Sequence, residues 1–135
     1  PKDHLLRKIA KAVDFRFIAP LAADCYSPDY GRKSWDTVVL FKMVFLQFLY
    51  DLSDREIEDQ VNLHLACKWF VGLMPEEAAP DHTRLCNFRV RLGAEKFQKI
   101  FNEIVESARR AGLVHDRLRI IDATHIEAKA DLFRQ

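Results

Sequence analysis

The stretch SWDTVVLFKMVFLQFLY, residues 34–50, decides the fold class of this chain. From Trp35 onward nearly every position is apolar, and Lys42 and Gln47 are the clearest interruptions. A run of this length without Gly or Pro is too long for an ordinary strand, and it is shorter than the roughly 18 to 20 apolar residues of a membrane span. The stretch therefore predicts a helix buried on most of its circumference, with Ser34 as its N-cap.

Further helices are predicted on both sides of this central stretch. Apolar residues recur at helical spacing over residues 3–13 and 95–111, and Pro20 suits the first turn of a short helix within 15–22. Ser53 and Glu56 match a capping box that opens a helix to about residue 62. Two more helices are predicted over 65–73 and 81–92. The fold class is therefore mainly α, with a multi-helix domain at residues 1–113.

The pattern changes after Gly112. Residues 118–122 (LRIID) and 124–128 (THIEA) are rich in β-branched side chains and alternate more nearly with a period of two. They predict one strand or a hairpin. We expect residues 114–135 to be the start of a second domain that is truncated here.

Composition and charge exclude several classes of protein. With 49% apolar residues and few Gly and Pro, the 135-residue chain is neither disordered nor fibrous. Its net charge of +1 conceals segments of +3 (1–33), −5 (34–80), +4 (81–119) and −1 (120–135), so two basic segments are available for an anion-binding face. Three scattered cysteines and the lack of a basic-then-apolar leader indicate the cytoplasm. We expect neither a membrane nor a small molecule as partner.

The helix predicted at 81–92 is the best candidate for contact with nucleic acid. Its apolar stripe leaves Arg84, Asn87 and Arg91 on a second stripe, with Arg89 on the far flank. Arginine and asparagine suit both phosphate contacts and bidentate readout of base edges. A solvated charged face is an equally good interpretation. In the first basic segment, Arg32 and Lys33 are further candidates for DNA contact.

Two other interpretations of the middle of the chain are weaker. The helices at 53–62 and 65–72 have the lengths of a helix-turn-helix, but four acidic residues on the first would repel phosphate and the second offers only Lys68. The other possibility is a zinc site, because the spacing of four residues resembles that of a set of four zinc ligands: His64, Cys67, His82 and Cys86. The usual zinc knuckle, in which a Cys comes first and is followed by a tight turn, is missing. Packing against neighbouring helices is favoured for both regions.

Asp122 is the candidate metal ligand. It follows a run of apolar residues in the predicted strand, where an unpaired carboxylate is costly unless it is hydrogen-bonded or binds a cation. Magnesium prefers hard oxygen ligands of this type. One carboxylate does not make a site, and an Asp that caps a turn between two short strands explains the same residues.

Five blocks of the sequence resemble the N-terminal region of bacterial insertion-sequence transposases of the DDE class. The blocks cover most of the chain and are HLLRKIAKAVDF (4–15), YGRKSWDTVVLFKMVFLQFLYDLSDREIEDQV (30–61), CKWFVGL (67–73), PDHTRLCNFRVRL (80–92) and IIDATHIEAKA (120–130). The resemblance implies a helical DNA-binding domain followed by a catalytic domain with a ribonuclease-H-like fold. It also implies double-stranded DNA at transposon ends as the partner.

The same resemblance implies a role for Asp122. In that family the matching Asp is the first of three acidic residues that hold two Mg²⁺ or Mn²⁺ ions for cutting and joining DNA. Because the sequence stops at Gln135, the other two acidic residues are absent, and we expect no transposition by this chain alone and no bound metal. We expect it to bind DNA and to form a homodimer or higher oligomer, through the terminal strand or a swapped helix.

Two alternatives remain open on the sequence. The chain could be a structural or inhibitory helical module without DNA binding. It could also be a metal-dependent nuclease whose carboxylate cluster is completed across a dimer from Asp122, Glu127 and Asp131.

Overall fold

The centre of the fold is the helix predicted from residues 34–50. The structure is a computed structural model that describes residues 4–22, 36–113, 126 and 128–133. Helix α3 spans Thr37–Tyr50, and ten of its 14 residues are buried. Its N-cap is Asp36, whose carboxylate accepts the N–H of Val38 at 2.8 Å, so the prediction of Ser34 as the cap is wrong. Asp36 is closer to the first helical turn, where the free N–H groups lie.

The other helices of the described chain surround α3, and those up to residue 110 were predicted correctly, whereas the 3₁₀ helix at the C-terminal end was not predicted. Helix α3 packs against α2, α4, α5 and α6, and α1 packs against α5 and α7. The observed bounds are α1 Leu5–Ala12, a 3₁₀ helix Phe15–Phe17, α2 Ile18–Leu21, α4 Asp54–Leu63, α5 Leu65–Val71, α6 His82–Leu92, α7 Ala94–Arg110 and a second 3₁₀ helix Ala130–Phe133.

Local signals fix the start of α4 and the end of α7. The N–H of Glu56 donates to Ser53 Oγ at 3.1 Å, and the N–H of Ser53 donates to Glu56 Oε1 at 2.9 Å, which confirms the capping box. After α7, Gly112 has a φ of +82°, a conformation in which a side chain would be strained. Both features depend only on residues that are close in sequence, and for that reason they can be predicted from the sequence.

Phenylalanine rings join α3 and α7 into one core. The Phe97 ring centroid lies 4.7 Å from that of Phe48, 5.4 Å from Phe41, 5.7 Å from Phe101 and 5.5 Å from Phe133. All five side chains are buried. Because Phe133 belongs to the C-terminal 3₁₀ helix, the same cluster holds the end of the described chain against the helical domain.

The predicted second strand is wrong where the structure describes it. Ile126 and Ala128 are helical, and the N–H of Lys129 donates to the carbonyl of Ile126 at 3.1 Å. Ile126 is buried, and it belongs to the core of the helical domain. Residues 118–122, the first predicted strand, lie outside the described residues. The described chain is thus mainly helical, and none of its helices has both the length and the apolar character of a membrane span.

Candidate nucleic-acid interface

Helix α6 begins where the sequence predicts. Asp81 is the N-cap, and its carboxylate accepts the N–H of Arg84 at 2.9 Å. The apolar stripe of Leu85, Phe88 and Leu92 is buried, as predicted, against α3 and α4 and the C-terminal 3₁₀ helix. The capped start and the buried stripe fix which face of α6 meets solvent.

The exposed face of α6 carries side chains that can contact DNA. Thr83, Asn87 and Arg91 are exposed and follow one another at intervals of four residues. Arg84 lies beside them but is half-buried, and its Nε lies 3.8 Å from Asp81 Oδ2. The predicted stripe is therefore on the surface at Asn87 and Arg91, whereas Arg84 already has an ionic partner within its own helix.

Arg89 does not lie on an exposed flank, and its placement among the DNA-contacting residues is wrong. Its side chain is 2% exposed. The guanidinium donates from Nη2 to Asp54 Oδ2 at 3.2 Å, from Nη1 to Gln47 Oε1 at 3.0 Å, and from Nε to the carbonyl of Leu132. Gln47 Nε2 in turn donates to Asp54 Oδ1 at 2.8 Å. Arg89 thus fastens α6 to α3, α4 and the C-terminal segment.

The acidic helix α4 is less exposed than the sequence suggests. Asp54 binds Arg89, and Glu58 Oε1 accepts the backbone N–H of His82 at 2.6 Å and lies 2.9 Å from its Nδ1. Burial by itself would raise the pKa of Asp54, but hydrogen bonds from Arg89 and Gln47 outweigh it and hold that pKa below its ordinary value. Two of the four carboxylates therefore hold α6 in place, and the other two, Glu56 and Asp59, are exposed.

The second helix of the predicted helix-turn-helix loses its one cation. Lys68, on α5, is buried, and its Nζ donates to the carbonyl of Pro75 at 3.0 Å. Because the Lys68 side chain is buried, its ammonium is not available to a phosphate. Helix α5 instead exposes apolar side chains, among them Leu65 and Trp69.

The metal-site hypotheses divide between described and undescribed residues. His64, Cys67, His82 and Cys86 are all described, and within the described ranges no three His, Cys, Asp or Glu side chains are grouped so as to hold a metal ion. Burial raises the pKa of the Cys67 thiol, which opposes thiolate formation. The four residues do not form the zinc site. Asp122, Arg32, Lys33 and Glu127 lie outside the described side chains, so their roles stay predictions.

Helix α1 adds a second basic face. Arg7, Lys8 and Lys11 are exposed on the side opposite to the buried Leu6 and Ile9. The helical spacing of these residues in the sequence predicts this polar face. It does not predict the neighbouring Trp69, whose ring centroid lies 5.4 Å from the Arg7 guanidinium across 62 positions of chain.

Comparison with known proteins places these elements in a family. A family model described as a transposase domain (DUF772) matches residues 1–91, about two thirds of the chain. The match runs from the N-terminus through Arg91 and so includes nearly all of α6. No solved structure matches the chain.

Proposed function

The chain belongs to the transposase-domain family (DUF772), and from this premise we propose that it is the DNA-binding and assembly region of a bacterial insertion-sequence transposase of the DDE class. The five blocks of resemblance support the DDE class and a bacterial cytoplasmic setting. The partner we propose is the double-stranded DNA of the transposon ends.

The observation that carries DNA binding is the exposed face of α6. A single α-helix fits the major groove of B-form DNA, where Asn pairs with adenine edges and Arg pairs with guanine edges or contacts phosphate. Asn87 and Arg91 lie one turn apart on the exposed side of a helix whose other side is held by core packing and by Arg89. A rigid, capped helix with this pair at its surface is suited to present both side chains together.

Replacing Arg91 with alanine is expected to weaken duplex binding. If Arg91 contacts a phosphate, the slope of log K against log salt should become shallower by about 0.9. If it contacts a base, discrimination at one position of the site should fall by about 1 to 3 kcal/mol. Duplexes enriched from a randomised pool, titrated by fluorescence anisotropy at several salt concentrations, distinguish the two.

The matched control is Lys99→Ala, which removes one exposed positive charge from α7 and leaves α6 untouched. It should change neither the slope nor the sequence preference by a comparable amount. If Arg91→Ala and Asn87→Ala both bind as the unaltered chain does, α6 is not the DNA-binding element. The structural or inhibitory module would then be the better interpretation.

We also propose that the protein acts as a homodimer or higher oligomer. Support comes from Leu63 and Leu65, which are 79% and 70% exposed at the corner between α4 and α5. The described part of the C-terminal segment is less suited to this role, because Ile126 and Phe133 are buried against their own chain. Sedimentation velocity over a wide concentration range is the direct measurement, and a monomer throughout would contradict the proposal.

For catalysis we propose Asp122 as the first of the acidic residues that hold Mg²⁺ or Mn²⁺ in a ribonuclease-H-like domain. Support is the motif IIDATHIEAKA, residues 120–130, which follows the helical domain. Divalent ions in such sites stabilise the charge that develops on a phosphodiester. The test is an assay of duplex DNA nicking with Mg²⁺ or Mn²⁺, in a chain that carries the other carboxylates. The unaltered chain is compared with Asp122→Ala.

A further inference from the structure

A groove follows helix α1 on the side where α1 meets α5. Its first part has a volume of about 390 Å³, and the described residues that line it are Arg7, Ala10, Lys11 and Trp69. Its second part, about 370 Å³, shares Ala10 and Lys11 and continues to Val13, Asp14, Phe15, Arg16 and Lys42. The two parts share Ala10 and Lys11 and so adjoin each other along α1, and together they are called the α1 groove.

The charge of this α1 groove is strongly positive. Among the described residues, four cationic side chains line it, two from α1, one from the first 3₁₀ helix and one from α3: Arg7, Lys11, Arg16 and Lys42. Asp14 is the one carboxylate among the described residues of the lining, and its Oδ2 lies 2.7 Å from Arg16 Nη2. Asp14 and Arg16 offset each other, so Arg7, Lys11 and Lys42 are the described cations of the lining that favour an incoming anion.

Lys42 lies at the floor of the groove in an unusual setting. Its Nζ is 4.8 Å from the Phe15 ring centroid and 5.3 Å from that of Phe70, and it donates to the carbonyl of Phe70 at 3.0 Å. That carbonyl is its one hydrogen-bond acceptor in the described part of the chain, and the Lys42 side chain is half-buried, so it is partly accessible from the groove. Burial lowers the pKa of Lys42, and an anion in the groove would favour its charged form.

Trp69 supplies an aromatic surface beside these cations. Its ring is 48% exposed although it belongs to α5, and the Arg7 guanidinium lies 5.4 Å from its centroid. A half-exposed Trp among cations is the arrangement by which proteins hold unpaired bases, because every base can stack on an indole ring. Bases within a duplex have both faces covered by their neighbours and cannot use such a ring.

We propose that the α1 groove binds a single strand of DNA, with one base stacked on Trp69 and the adjoining phosphates on Lys11 and Lys42. This site is formed by elements other than α6, so it goes beyond the proposed duplex contact and does not depend on it. Leu65 lies outside the lining of both parts but lines an adjoining cavity that also contains Arg7 and Trp69. An apolar protein partner would cover Leu65 together with Trp69, whereas a DNA strand would use Trp69 and the cations.

The experiment is a titration with labelled oligo(dT), followed by fluorescence anisotropy and by tryptophan fluorescence. The protein carries Trp35→Phe, so that Trp69 is its single tryptophan. Oligo(dT) is expected to quench Trp69. Trp69→Ala should bind about 5- to 150-fold more weakly, the range for loss of one stacked base, and Trp69→Phe should retain most of the affinity. Lys11→Ala should lower the salt slope by about 0.7, and Lys99→Ala should leave it unchanged.

Three results would overturn the proposal. One is saturable binding without quenching of Trp69. A second is a duplex of the same length that binds with the same dependence on Trp69, because that would make the groove a duplex surface. The third is a change in oligomeric state on Trp69→Ala with no change in affinity for oligo(dT). If circular dichroism shows that Trp69→Ala does not fold, two measurements still test the proposal. These are the quenching of Trp69 by oligo(dT) and the salt slope of Lys11→Ala.

Discussion

Replacing Asp54 with alanine is expected to lower the unfolding free energy of the helical domain by about 3 kcal/mol, because the Arg89 guanidinium would stay buried without its carboxylate. Removal of one partner of a buried pair costs about 3 to 5 kcal/mol. The lower end applies here since the Asp54 side chain is 27% exposed and two other acceptors of Arg89 remain, Gln47 Oε1 and the Leu132 carbonyl. Urea denaturation followed by circular dichroism gives the value.

Asp59→Ala is the matched control, because it removes a carboxylate from an exposed position of the same helix. Its effect should stay within about 0.5 kcal/mol. If Asp54→Ala costs no more than Asp59→Ala, the pair does not hold α6 in place. Double replacement with Asp54→Leu and Arg89→Met should recover part of the loss, since both desolvated charges are then removed.

The Asp54–Arg89 pair also makes the unfolding free energy of the domain depend on pH. The pKa of Asp54 is lower in the folded chain than its ordinary value of 3.8, so the unfolded chain binds the proton more tightly. The contribution of the pair is therefore fully present above about pH 4 and is lost as the pH falls through the folded pKa. Asp54→Asn should remove this part of the pH dependence, measured as unfolding free energy against pH.

Replacing Phe97 with alanine is expected to cost about 3 to 5 kcal/mol, the range for removing a large aromatic side chain from a packed core. The ring is fully buried and lies within 5.7 Å, centroid to centroid, of four other phenylalanine rings. These come from α3, α7 and the C-terminal 3₁₀ helix. A cavity at this point cannot close without moving three elements at once.

A second consequence of Phe97→Ala is specific to this fold. Phe133 would lose one of its aromatic partners, so amide hydrogens of residues 128–133 should exchange faster than those of α4. Phe97→Leu is the control, because it retains most of the volume and should cost less than about 1.5 kcal/mol. Equal losses for the two variants, measured by denaturant unfolding, would contradict a close-packed aromatic cluster.

The structure also changes what the basic residues of α6 do. The sequence assigns Arg84, Asn87, Arg89 and Arg91 to one task, contact with DNA. Folding separates them: Asn87 and Arg91 are exposed, Arg84 pairs with Asp81, and Arg89 is a structural residue. The contact of Asn87 and Arg91 with DNA stays a prediction, and the burial of Arg89 is a feature of the fold.

The sequence by itself determined the features that depend on near neighbours. The buried helix within residues 34–50, the capping box of Ser53 and Glu56, the start of a helix at Asp81 and the amphipathic pattern of α7 each follow from side chains within a few turns. Such interactions form at short range whatever the rest of the chain does. The helical fold class could therefore be predicted without knowing how the helices pack.

Tertiary structure alone decided the contacts between distant parts of the chain. Arg89 meets Asp54 across 35 positions and Gln47 across 42, and Arg7 meets Trp69 across 62. On a helix pattern Arg89 is one more cation beside an apolar stripe, and nothing local indicates that a carboxylate will lie within reach. Burial of a charge depends on the partner that packing brings to it, so the anchor at Arg89 and the α1 groove exist only once the helices have assembled.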